Sequence, residues 1–317
     1  MAYLVTGGTG FIGLRIVRDL LREGQEVVIF DFLPQLGALA HMVGKESAAA
    51  VKVVQGDILD LATLLRTCQD HRIDTIIHMA YFKVLQANAN PLWATRVNCE
   101  GVGNVFEAAR LLGLRRVVWA SSVAVFGPPE RYSNQPIPND APHDPTTFYG
   151  ACKSFNERQS AHYCETYGLE IIGLRYSVGY APHKIGSTSY PILRELLEKP
   201  AVGEPGKVPW GDSIINWLHA DDEAGAAVHA AKVPMTKRKV FTVAGEARSV
   251  GEVAAYVKRL IPTADIVLEP GRLVFACYFD VGPTREELGY RNRLSFEEGI
   301  KATINAVRGE RGLAPIA

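Results

Sequence analysis

Tyr149 and Lys153 stand four residues apart in the stretch TTFYGACKSFNE. Residues at that spacing share one face of a helix, one turn apart. A tyrosine ionises near pH 10 and is a poor base at neutral pH, but a lysine charge beside it favours the phenolate. The pair is therefore either a proton-transfer device or two ordinary residues on an amphipathic helix. The elements around it have to decide which.

A second chemical signal sits at the amino terminus. VTGGTGFIG spaces Gly7, Gly10 and Gly13 as G-x-x-G-x-x-G, with Phe11 and Ile12 between them. Such glycines permit a tight turn and let the backbone approach a pyrophosphate, and the N–H groups of the following helix supply donors. Asp31 follows about 20 residues later at the end of a strand pattern, where a carboxylate accepts hydrogen bonds from the adenosine ribose. It would repel a 2′-phosphate, and Phe32 and Leu33 bring no arginine, so NAD is favoured over NADP. Asp57 and Ile58 in GDILD close a third strand beside the expected adenine, although Asp57 can equally cap the next helix.

The elements that must position these groups alternate. Residues 3–7, 26–31, 51–57, 74–80, 115–122, 170–176 and 239–245 read as short buried strands. Helical patterns lie between them: one after the glycine turn, with Ile12, Ile16 and Leu20 on one face and Gly24 as its stop, a long one over 91–112, and one starting near Tyr149. Strand–helix alternation implies an α/β fold with a doubly wound parallel sheet, whose strand ends gather ligands at one edge. After residue 176 prolines and glycines interrupt the rhythm. Residues 1–176 with 239–245 then form the nucleotide-binding domain, and 177–238 with 246–317 a smaller, interleaved substrate lobe.

Composition narrows the partners. Lys+Arg and Asp+Glu are both 34, so nothing marks nucleic acid or an anionic membrane as a partner. No segment approaches the roughly 18 apolar residues of a membrane span, and AYLVTGG shows no signal-peptide pattern. The five cysteines are scattered without CxxC spacing, which reads as free thiols in a reducing, cytoplasmic setting and no metal site. His78 and His219 read as structural.

In order along the chain, TGGTGFIG, Asp31, GDILD, IIHMA, VNCEGVGNVFEAAR, SSVAVFG, YGACK, LRY and LHADDEAGA resemble the extended short-chain dehydrogenase/reductase family, the NAD-dependent epimerase/dehydratase group. The resemblance covers most of the chain and implies a Rossmann fold, NAD as cofactor and, commonly, a homodimer through the helices at 91–112 and after Tyr149. It implies Tyr149 as general acid/base, Lys153 as the group that lowers its pKa and holds the nicotinamide ribose, and Ser122 as the hydrogen-bond partner of the reacting oxygen. Met79, Ala80 and Tyr176 would join the cofactor contacts. Asn98 would orient main chain near the nicotinamide or simply add helix polarity. Lys83 would reach the cofactor phosphates or remain solvated. Val97, Val102, Val105, Phe106 and Ala109 would serve a dimer or pack on the sheet.

The departures bear on substrate. Nucleotide-sugar members read LRYFNVYGP and Arg-Asp-Tyr-Ile-His where this chain has LRYSVGYAP and INWLH, so Val178 and Ile215 replace two diphosphate anchors. An isoleucine offers no charge-assisted contact, although Arg272 could supply one. Phe126 stands where the sugar-nucleotide enzymes have tyrosine, and GSTSYPI resembles a stretch of short-chain L-threonine dehydrogenases. The expected reaction is oxidation of a secondary alcohol on a polyol, sugar acid or hydroxy-amino acid, closer to L-threonine or uronate dehydrogenases; nucleotide-sugar 4-epimerisation or dehydration with retained NAD is the alternative. Tyr81, Ser122, Val123, Tyr149, Ser177, Val178, Ser187, Thr188 and Trp217 are the expected substrate lining, Trp210 and Trp217 being core anchors otherwise.

Overall fold

The computed structural model describes residues 1–133, 135–184 and 186–316. β1 (Ala2–Thr6) is buried along its whole length. β2 (Glu26–Asp31), β3 (Lys52–Gln55), β4 (Thr75–His78), β5 (Arg116–Ser122) and β6 (Ile171–Tyr176) follow where the apolar runs predict them. With the strand Val240–Val243 they form one seven-stranded sheet in the order Val240–Val243, β6, β5, β4, β1, β2, β3. Every pairing in it is parallel. Such strands need helices on both faces, which is why they read as continuous apolar runs rather than alternating ones. Chain order reverses between β1 and β4, so a crevice opens there at the carboxyl ends of the strands.

α1 (Gly13–Arg22) buries Leu14, Ile16, Val17 and Leu20 on the sheet. It stops before Gly24, whose φ of +69° is the left-handed backbone a glycine accepts without strain. The long helical pattern is three consecutive pieces: Pro91–Thr95, a π-helical turn Arg96–Glu100 and Gly101–Leu112. Such turns insert a residue into the helix and collect at functional sites. This one turns Asn98 inward, where it is fully buried. Val102, Val105, Phe106 and Ala109 pack on the sheet beside Trp119, so these four are core residues and not a dimer surface. The helix bearing Tyr149 runs Phe148–Tyr167; Thr147 caps it, its side chain accepting from the Gly150 amide.

The smaller lobe holds a three-stranded sheet, in the order Glu246–Ser249, Ile214–His219, Val178–Tyr180. Gly206–Val208 pairs with Ile266–Leu268 beside it. Parts of the segments expected in the substrate lobe pack with the large sheet: Leu288 and Tyr290, and the helix Ala220–Ala230. Ala224, Ala226, Ala227, Val228 and Ala230 join the cluster of Tyr3, Val5, Leu174 and Phe241. For the helix the cause is its small side chains, which let it pack closely against α1.

Candidate active site

At the crevice a cavity of about 920 Å³ runs from Asp31 and Asp57 past the glycine turn to Ser122, Tyr149 and the loop at Ser187–Thr188. Its size suits a small molecule or cofactor. The glycine turn closes one side. Gly7 has φ +64°, and a Cβ on it would lie 2.9 Å from the main chain of Met79 and Ala80; a Cβ on Gly13 would lie 2.1 Å from the Gly7 carbonyl. No side chain fits at either place, so at Gly7 and Gly13 the backbone itself borders the space above the α1 N-terminus. Asp31 is held ready: its Oδ2 accepts from the Thr9 amide at 3.0 Å and the Thr9 hydroxyl at 2.6 Å. Phe11, Ile12, Asp57, Ile58, Met79, Ala80, Lys83 and Tyr176 line the same cavity. A dinucleotide fits this donor set: a bare backbone cradle for a diphosphate and a fixed carboxylate for a ribose.

Tyr149 and Lys153 share a helix face, as their spacing predicts. Tyr149 lines the cavity beside Ser122, whose hydroxyl favours the phenolate. Burial pushes the phenol pKa up, more strongly than the Ser122 contact pulls it down. Lys153 lies behind the cavity wall. Its Nζ donates to the Ala120 carbonyl at 2.6 Å and stands 4.1 Å from the Tyr81 ring centroid and 5.4 Å from that of Tyr149. Burial draws the Lys153 ammonium down to about 7, opposed by Cys152, Cys99 and Glu157. The expectation that Lys153 lowers the tyrosine pKa meets a competing effect, because the same burial that raises the phenol discharges the lysine.

A buried network holds the ends of β5 and β6. Glu157 accepts from Arg175 Nε at 2.7 Å and Nη2 at 2.6 Å, and from the Ser121 hydroxyl at 2.6 Å. Ser121 and Ser122 both line the cavity, with Val123, Ser177 and Val178, but the Ser121 hydroxyl is spent on Glu157. Asn98 is not part of that lining. Its side chain donates to the Phe82 carbonyl at 3.0 Å and accepts from the Phe82 amide at 2.7 Å, so it positions the chain after β4. His78 bonds the Thr6 hydroxyl at 2.7 Å, and burial holds it neutral, down to about 3. His219 caps its helix by accepting from the Asp221 amide.

Three substrate expectations change. Trp217, expected in the lining, is 2% exposed in the small-lobe core; its Nε1 donates to the Arg248 carbonyl and its ring edges meet Tyr180 and Phe296. Ile215 is sealed in the same core. Arg272 lines a separate cavity of about 700 Å³ with Gln135, Asn216 and Cys277, while its neighbours Leu273 to Ala276 line the first. The geometry also adds two residues that the sequence reading passed over, Glu223 and Lys184, both in the main cavity wall. Glu223 ends the acidic run Asp221–Asp222–Glu223 in a first helical turn, where acidic residues ordinarily complement the helix dipole. Its place in an alanine-rich buried helix was the available signal.

Comparison with known proteins agrees with this geometry. Residues 3–244 match the NAD dependent epimerase/dehydratase family. A UDP-glucose 4-epimerase of Lacticaseibacillus casei is 30% identical over 248 residues, 73% of this chain and 72% of that protein. A Thermus thermophilus UDP-glucose 4-epimerase structure in complex with NAD superposes with a TM-score of 0.80 at 26% identity, covering 98% of this chain and 99% of that one. A partial consensus L-threonine 3-dehydrogenase superposes with a TM-score of 0.86, covering 98% and 100% of the two chains. At 21% identity that likeness shows the fold alone, so it gives no measure of a greater closeness to small-alcohol dehydrogenases. With a Rossmann sheet, a glycine cradle and Ser122 and Tyr149 in one cavity, and a match over three quarters of its length, the chain belongs to the NAD-dependent epimerase/dehydratase family.

Proposed function

We propose that this chain is an NAD-dependent dehydrogenase oxidising a secondary alcohol of a small hydroxylated substrate: a polyol, sugar acid or hydroxy-amino acid. The observation that carries the reaction type is that Ser122 and Tyr149 line the same cavity as the glycine turn and Asp31. NAD, when bound, supplies the hydride acceptor. Ser122 and Tyr149 hold the substrate oxygen between them, and the Tyr149 oxygen takes its proton as the carbonyl forms. Burial keeps the phenol protonated, so base action needs a positive charge beside it. Lys153 is the nearby cation, and it is half-charged close to neutral pH.

Support for a small substrate comes from the missing anchors: Ile215 in the core, Arg272 on another cavity, and Ser187, Thr188 and Phe275 around the outer half of the first. The second reading is nucleotide-sugar 4-epimerisation, which uses the same hydride step and returns it. The name of the Lacticaseibacillus casei relative favours it. Assaying NADH absorbance across a panel of small alcohols and sugar acids decides. Net NADH from at least one supports the dehydrogenase; no NADH from any, with conversion of UDP-glucose to UDP-galactose, overturns it. A cytoplasmic homodimer belongs to the same proposal. It is supported by the free cysteines and by exposed Leu92, Trp93, Phe155 and Tyr167 on the two helices concerned. A monomeric mass in solution at low concentration would remove it.

A further inference from the structure

Glu223 is a charged residue in the cavity wall that the proposed chemistry does not use. It is 3% exposed, and its Oε2 has no hydrogen-bond partner among the described residues. Room for the carboxylate exists because residue 179 is glycine: a Cβ there would lie 2.3 Å from Glu223 Oε1. Cations converge on it. Lys184, Arg15 and Lys83 act on the carboxylate in that order of strength, with Asp222 of its own helix between the last two and opposing them. The Lys184 Nζ donates to the Gly179 carbonyl and lies 5.9 Å from the ring centroid of Phe11, within the glycine turn. Arg15 lies over the same ring at 4.7 Å and is paired with Asp221 at 3.2 Å. Tyr81, Tyr149 and Tyr176 complete the titratable groups that feel the carboxylate.

The cluster adjoins the backbone cradle where a diphosphate fits. We propose that Glu223 is the internal counter-ion of that diphosphate site: it balances Lys184 and Lys83 in the absence of cofactor, and takes up a proton when a dinucleotide diphosphate engages the two lysines. A carboxylate and a diphosphate near the same lysines repel, and protonation removes that repulsion at the smallest structural cost. Burial has already brought the acid to about 7, and Lys184 is drawn down to about 8, so the exchange falls within the neutral range. Cofactor binding then releases readily as pH rises, which suits an enzyme that exchanges NAD at each turnover. The inference rests on the NAD-dependent reading of the cavity and not on which alcohol reacts.

Binding of ADP-ribose, which has the diphosphate and lacks nicotinamide, tests it by calorimetry between pH 6 and 8. Affinity should rise as pH falls from 8 towards 7, approaching tenfold per pH unit, the limit for one coupled proton, and level off below about 7, where the acid is already protonated. Glu223→Gln should flatten that slope and bind about tenfold tighter at pH 8; Lys184→Met should weaken binding at pH 7. In wild type alone, titrations in two buffers of different ionisation enthalpy should register net proton uptake at pH 7.5, which holds even if a variant fails to fold. No proton uptake, or the full slope retained in Glu223→Gln, overturns the proposal. So does a slope seen with NAD but absent with ADP-ribose, since that places the carboxylate against the nicotinamide. No substrate enters these measurements, so a failed alcohol panel and a failed counter-ion remain separate results.

Discussion

Replacing Arg175 with methionine tests the network that ties Ser121 and β6 to the helix Phe148–Tyr167. Wild-type Glu157 is 6% exposed and its carboxyl is held down to about 2, burial opposing and the Arg175 and His143 hydrogen bonds prevailing. Against its ordinary value of 4.5, that is about 2.5 units, or about 3 kcal/mol of stability at neutral pH. The sign follows from the depressed folded pKa. The contribution is complete above the unfolded value and is lost as pH falls from about 4.5 towards 2. Methionine keeps the volume of the arginine stem but leaves a buried carboxylate uncompensated, a change that costs about 3–5 kcal/mol in buried pairs. The Arg175 bond to the Asn139 carbonyl is lost with it. Urea unfolding at pH 7 and at pH 4 should show a deficit of about 3 kcal/mol or more at pH 7 that narrows by more than about 1 kcal/mol at pH 4, where the stranded acid protonates. Histidines outside the network titrate alike in both proteins and cancel in the difference, whereas His143, 2.9 Å from Arg175 Nη2 and 3.2 Å from Glu157 Oε2, belongs to the network under test. A deficit under about 1 kcal/mol at pH 7, or one equal at both pH values, would refute the assignment of Glu157 as an ionised, arginine-stabilised group.

Tyr149→Phe should lower kcat by about 10²–10⁴-fold while NAD still binds, measured by NADH absorbance and by titration of the cofactor. Gly13→Ala places a methyl 2.1 Å from the Gly7 carbonyl, so cofactor binding should fall below detection in calorimetry even in preparations that retain the far-UV spectrum. Asp31→Ala should weaken NAD binding by about tenfold or more, as loss of a charge-assisted bond predicts, and narrow the preference over NADP. His78 stays neutral in the folded chain down to about 3, whereas the unfolded chain takes up a proton below about 6.5. Stability is therefore full above pH 6.5 and falls through the window to 3, and His78→Gln should reduce the acid-side slope by up to about 1.4 kcal/mol per pH unit in urea titrations.

What the sequence determined by itself is what neighbours along the chain dictate. The glycine turn, α1 with its stop at Gly24, Asp31 at a strand end and the Tyr149–Lys153 face all follow from backbone φ, helical period and strand length, and each lies where those rules put it. The parallel order of the sheet follows from strand–helix alternation. What only the tertiary structure decided is burial and what faces what, because both are sums over neighbours distant in sequence. The π-helical turn at Arg96–Glu100 carries Asn98, which bonds the Phe82 main chain 16 residues earlier. The helix Ala220–Ala230 leaves the small lobe for the large sheet because its alanines fit against α1. Trp217 is a core residue and Arg272 turns to a second cavity, although their residue types suit a binding site equally well. Lys153 and Glu223 show the same limit in their charges: spacing put Lys153 beside Tyr149 and Glu223 in an acidic helix turn, and desolvation, the largest influence on each, moved both groups to about 7.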